Sequence, residues 1–195
     1  MRKYLVAAAL AAGTALATPA MAQDYAPFTG PRVEGIIGYD NVGTEDVDDN
    51  SDGIVYGGGI GYDMQMGNML AGVEAEFTES TVDECIGGAV VAGDELCAKV
   101  GRDLYVGGRL GTVVGTSTLL YAKAGYVNGR LETEYEGPTG GAVTELSEDL
   151  DGVRLGAGAE FAMGPNSFLK AEYRYSNYEQ DFEKHQVVAG IGFRF

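Results

Sequence analysis

Eight times along this chain, apolar and polar residues alternate with a period of two. Outside the first twenty or so residues no sustained 3.6-residue period appears. The segments run about Arg32–Tyr39, Ile54–Tyr62, Met69–Thr78, Arg102–Leu110, Leu119–Leu131, Val153–Phe161, Phe168–Tyr175 and the C-terminal QVVAGIGFRF. Each has one apolar face, such as Val33, Gly35, Ile37 and Tyr39 in the first, or Val187, Ala189, Ile191, Phe193 and Phe195 in the last. The opposite face carries Glu34, Glu74, Glu76, Asp103, Arg109, Lys123, Arg154, Glu160, Lys170, Glu172, Arg174 and Arg194, six acids and six bases.

The connections alternate too. Met64–Asn68, Gly111–Thr118 and Gly164–Ser167 are short, whereas Asn41–Gly53, Glu79–Gly101, Thr133–Gly152 and Ser176–Lys184 are mostly longer and acidic. Short turns at one end and long loops at the other are the signature of an up-and-down barrel. The expected fold is therefore all-β, an eight-stranded antiparallel up-and-down transmembrane β-barrel with both termini on the short-turn side. Aromatic residues gather toward the ends of the apolar face, where they suit two membrane interfaces. A balanced charge set suits a narrow lumen in which every ion needs a partner. An eight-stranded interior is nearly filled by side chains, so those twelve residues are expected to form a structural salt-bridge network rather than line a pore.

The N-terminus sets the compartment. Arg2 and Lys3 precede an apolar run from Tyr4 to Ala17, and Pro19-Ala20-Met21-Ala22 places small residues before a cleavage point. This is a secretory signal peptide over residues 1–22, leaving 23–195 as one barrel domain. Removing 22 residues from 195 leaves 173, with 11 of the 13 bases against all 29 acids, a formal charge of −18. That balance argues against a nucleic-acid partner. A terminal Phe195 on an alternating strand, with Gly190 and Phe193, has the form of a recognition signal for the barrel assembly machinery of the outer membrane.

LLYAKAGY (119–126), VRLGAGAEFAMGPNSFLKAEYRYSNY (153–178) and the terminal GIGFRF resemble the opacity-protein and OmpA-like family of small eight-stranded outer-membrane barrels. The resemblance spans the mature chain and is weakest in the loops. It implies an integral protein of a Gram-negative outer membrane, in contact with lipid and lipopolysaccharide, and expected to be a monomer. The two-domain members carry a periplasmic peptidoglycan-binding domain, which is not expected after Phe195.

Residues 47–54, VDDNSDGI, imitate the opening of an EF-hand loop, with Asp48, Asn50 and Asp52 at ligand positions 1, 3 and 5. Position 12 is Gly59 where a bidentate Glu is required, so the segment is expected to be an exposed acidic loop with at most weak affinity for a divalent cation. Cys85 and Cys97, the two cysteines of an exported chain, are expected to form a disulfide in the second long loop. His185 is the one histidine; Ser176 could approach it across the last hairpin, but nothing suggests a catalytic triad, and neither catalysis nor a cofactor is expected. The leading expectation is a non-enzymatic barrel serving envelope structure and surface interaction through four outer loops, its ligand unknown. Two alternatives stand beside it: a small diffusion channel, and a soluble periplasmic barrel with an apolar interior.

Overall fold

A computed structural model describes residues 27–44, 47–87, 95–136, 143–179 and 182–195. The expected signal peptide lies outside them. The strands are β1 (Gly30–Thr44), β2 (Val47–Met66), β3 (Met69–Ser80), β4 (Asp83–Gly87), β5 (Glu95–Val114), β6 (Thr118–Glu136), β7 (Val143–Ala162), β8 (Ser167–Tyr178) and β9 (Phe182–Arg194). Every pairing is antiparallel; β1 joins β9 and β3 joins β5, so eight strands close into a ring with no edge inside the membrane. The ninth, β4, pairs among the described residues with the outer extension of β5 alone.

The register fixes the geometry of the wall. Paired residues lead once around it through Arg32, Gly61, Glu74, Gly107, Gly125, Arg154, Ser176 and Lys184, and return to β1 at Val42, ten residues above the start. For strands ~4.8 Å apart rising ~3.3 Å per residue, that stagger gives a tilt of about 41° and a radius of about 8 Å. Each step to the next strand lifts a hydrogen-bonded row by about one and a quarter residues.

Corrected for that climb, the outward residues sort by height. Phe161, Phe193, Phe195, Tyr62 and Met64, Met66, Met69 and Met163 form a girdle at the end bearing the termini. Tyr39, Tyr56, Phe77, Tyr126, Tyr173 and Tyr175 form a second girdle at the other end. Between them every wall strand places Gly or Ala at one level, including Gly35, Gly58, Ala75, Gly108, Ala171 and Ala189. Phe195 to Tyr39 spans about 23 Å at ~2.5 Å of height per residue, close to the apolar band of a membrane barrel. Exposure confirms which side is which: Leu110 is 67% exposed and Val73 63%, while Arg154 and Arg174 are fully buried. The soluble alternative, which required an apolar interior, is thereby overturned.

The outer ends depart from expectation. The segments read as long loops are largely strand, with β2, β5 and β7 each 20 residues long. VDDNSDGI lies within β2, not in a loop: Asp52 pairs with Asn41, and Gly53 with Asp40. In an extended chain, residues two apart are separated by about 7 Å, so the backbone here does not make the turning loop of an EF-hand. Asp52 instead accepts a 2.6 Å hydrogen bond from Asn41.

At the opposite end the connections are tight. The β2–β3 turn is only Gly67-Asn68, and Gly67 has φ +63°, a conformation open to glycine. Before β1 the chain hooks under the barrel. Gly30, at φ +127°, passes so close to the Phe195 carbonyl that a Cβ would lie 2.2 Å from its oxygen. The hook inserts Phe28 into the mouth against Leu70, Val113, Leu119 and Tyr121. The Arg194 guanidinium lies 5.5 Å from the Phe28 ring centre.

Candidate functional site

Among the described residues, the alternation that defines the strands delivers sixteen charged side chains into the lumen, eight acids and eight bases, none more than 7% exposed. All twelve residues expected there face inward and are buried. Arg32, Asp40, Asp63 and Lys184 join them. These four were missed because each sits at, or within two residues beyond, the end of a segment as read from sequence. Counting the inward parity from Arg32 itself and carrying it up to two residues past the other ends would have found them.

The charges pack in three storeys. Nearest the terminal end, Asp63 accepts from Arg32 Nε at 3.1 Å, Arg109 Nε at 2.8 Å and Arg194 Nη2 at 2.9 Å. Glu160 joins Arg109 to Arg194 at 3.1 and 2.7 Å. In the middle, Lys123 Nζ is held by Glu74, Glu76 and Glu172 at 2.8–2.9 Å. Arg174 pairs with Glu76 and Glu172, and Lys170 with Glu34. Toward the outside, Asp103 bridges Arg154 at 2.8 Å and Lys184 at 3.1 Å, with Asp40 3.6 Å from Lys184. Glycines on the inner wall make room for these long side chains: a Cβ on Gly190 would come within 3.0 Å of Lys170. Gly190 therefore has a packing role in the lumen, whereas Phe193 and Phe195 project outward.

Apolar clusters close both mouths. Phe28 and its neighbours fill the terminal end, and Tyr105, Val127, Leu150 and Tyr178, with Leu131 and Phe182, fill the other. Catalysis by His185 with Ser176 is geometrically barred. Ser176 is buried in the lumen, accepting from Arg154 Nε at 2.7 Å, while His185 lies on the outer face beside Tyr173, with 2.7 Å between the hydroxyl and Nδ1. Among the described residues no group of three His, Cys, Asp or Glu side chains could hold a metal.

Just above the upper tyrosines the outer face turns polar. Tyr56 donates to Glu79 at 3.0 Å, Tyr126 to Asp151 and Tyr175 to Glu183. Asn128 and Asp151 lie 2.7 Å apart, and Arg130 Nε donates to Asp149 at 3.0 Å, holding that carboxyl below its ordinary range. Beyond this rim β4, β5, β6 and β7 continue as one projecting sheet. Its β5–β6 pairing reaches Glu95 opposite Glu136, and its β6–β7 pairing reaches Glu136 opposite Val143. Cys85 and Cys97 are direct partners on β4 and β5 and form a disulfide.

A closed eight-strand wall with an apolar outside and a charged inside agrees with the family comparison: residues 8–195 match the model of the outer membrane protein beta-barrel domain. The chain belongs to this family. Its place is the outer membrane. It is 28% identical over 167 residues to the 31 kDa outer-membrane immunogenic protein of Brucella melitensis, covering 76% of this chain and 69% of the relative. It is 28% identical over 164 residues to the 22 kDa outer membrane protein of Rhizobium leguminosarum bv. viciae, covering 76% and 71%. Neisserial surface protein A shares the fold at a TM-score of 0.57 and 14% identity, over 86% of this chain and 98% of that one. So does the attachment invasion locus protein of Yersinia pestis, solved with the heparin analogue sucrose octasulfate, at a TM-score of 0.55 and 20% identity over 85% and 99%.

Proposed function

We propose that this barrel is a non-enzymatic surface protein whose working part is the sheet β4–β7 projecting from the outer rim, the wall below serving as its anchor and as envelope structure. The projection itself carries the reading. Beyond Asn128 the β6–β7 hairpin continues for eight paired positions, about 20 Å at ~2.5 Å of height per residue. A barrel that only sealed lipid would need no ordered structure there. The immunogenic description of the Brucella relative supports exposure at the cell surface. Replacing residues 133–146 by a two-residue Asn-Gly turn, which joins the paired Glu132 and Ser147, is expected to leave the barrel folded and heat-modifiable while reducing attachment of cells to protein-coated surfaces several-fold. Unchanged attachment, with the truncated barrel present in the outer membrane at wild-type level, would overturn the proposal.

The lumen supports anchoring over conduction. Among the described residues, three storeys of ion pairs between two apolar clusters leave no stretch of the interior lined by unpaired charge of one sign, as a selective pore requires. Purified barrel in planar bilayers is expected to show no steady conductance. Steady openings that Arg109→Gln or Lys123→Gln abolish would instead establish the diffusion-channel reading.

A further inference from the structure

The projecting sheet has two edges, and they are built differently. The β4 edge is five residues long and covalently held to β5 by Cys85–Cys97. On the other side β8 leaves β7 at Gly152, opposite Tyr178. Among the described residues, Val143–Asp151 pair with β6 alone. Nine residues of strand thus present one row of backbone N–H and C=O groups to the outside, the template on which an extended chain adds as a new strand.

The charge of this edge selects what can add. Its sequence, VTELSEDLD, has four acids and no base. Across residues 83–102 and 130–151 there are eleven carboxylates against Lys99, Arg102 and Arg130. Among the described residues those three are the only Lys or Arg side chains outside the lumen, and each already faces an acid, with Asp149 shared by Arg102 and Arg130 and Glu134 beside Lys99. Side chains directly opposite across an antiparallel pair interact favourably when their charges are unlike and unfavourably when they are alike. A second copy would set VTELSEDLD against itself, so edge-to-edge self-association is disfavoured.

Resting on the surface-protein reading above, we propose that the free edge of β7, Val143–Asp151, docks an extended basic peptide segment of a partner protein by strand addition. Glu145, Asp149 and Asp151 share one strand parity, so a partner with basic residues at alternate positions places them all on the matching face.

The test uses three labelled nine-residue peptides and the barrel in lipid nanodiscs, read by fluorescence anisotropy. The first alternates lysine with threonine and valine. The second replaces each lysine by glutamate. The third keeps the lysines but is N-methylated at four successive residues, removing donors on both of its edges. The lysine peptide is expected to bind at least tenfold more tightly than either of the others. A cysteine at its centre is also expected to cross-link to the exposed Ser147→Cys variant and not to Lys99→Cys. No binding of the lysine peptide, binding of the N-methylated form within twofold of the parent, or cross-linking at Lys99→Cys instead would each overturn strand addition. If the peptides fail while the 133–146 truncation still reduces attachment several-fold, the surface role stands and the edge is not its means.

Discussion

Asp63→Asn is expected to destabilise the folded barrel by about 3–5 kcal/mol, the usual cost of stripping one partner from a buried ion pair. Three guanidinium groups converge on this one carboxylate from β1, β5 and β9, strands that close the wall on both sides of β2. Arg32 keeps Glu34 and Glu74, and Arg109 and Arg194 keep Glu160, so the loss is not total. The remaining asparagine can still accept a hydrogen bond, but the lumen moves from eight against eight to an excess of one buried cation. Urea unfolding of the barrel in phospholipid vesicles, followed by loss of the fast-migrating band on unheated gels, measures the change. The double variant Asp63→Asn/Arg194→Gln restores neutrality and is expected to recover about half of the loss. A single-variant cost below about 1 kcal/mol, the value of an exposed pair, would show that the three arginines do not depend on Asp63.

How much of this was legible in the sequence follows from what each feature depends on. Strand number and facing depend on parity alone, so Arg154 and Glu160 could be placed inside, and Val153 and Phe161 outside, from the letters. The ends depend on where pairing stops. Asp40, Asp63 and Lys184 adjoin turn-forming or acidic residues, and a polar residue after an apolar one reads equally as the next inward position or as the start of a loop. The projecting sheet was hidden for a related reason. Its strands rise beyond the apolar band, so the alternation that lipid demands does not mark them, and a register shift between Val100 and Asp103 breaks the period in β5. Phe28 carried no periodic signal at all, since its burial is made by the hook at Gly30. The equatorial belt of Gly and Ala was present in the sequence but scattered, because the register that brings Gly35, Ala75, Gly108 and Ala171 to one height emerges only from the closed wall.

That belt makes the second large effect specific to height. Ile60 and Ile54 lie on the same face of β2 and are comparably exposed, at 62% and 53%. Ile60 falls near the middle of the apolar band. Ile54 falls at the level of Asn128 and His185, flanked by Asp52 and Glu79. Arginine at Ile60 is expected to cost about 2–4 kcal/mol in a bilayer, and at Ile54 no more than about 1 kcal/mol. A barrel surrounded by water would register neither change beyond about 0.5 kcal/mol, since both sites are exposed and neither has a buried partner to lose. The contrast is measured by the same urea unfolding in vesicles, and it should shrink in detergent micelles, whose apolar region deforms more readily around a buried guanidinium. Equal costs at the two positions would mean that the membrane does not sit where the two aromatic girdles place it. A larger cost at Ile54 would move the band outward by about six residues' height on β2, carrying the tyrosine–carboxylate rim, and with it the base of the projecting sheet, into lipid.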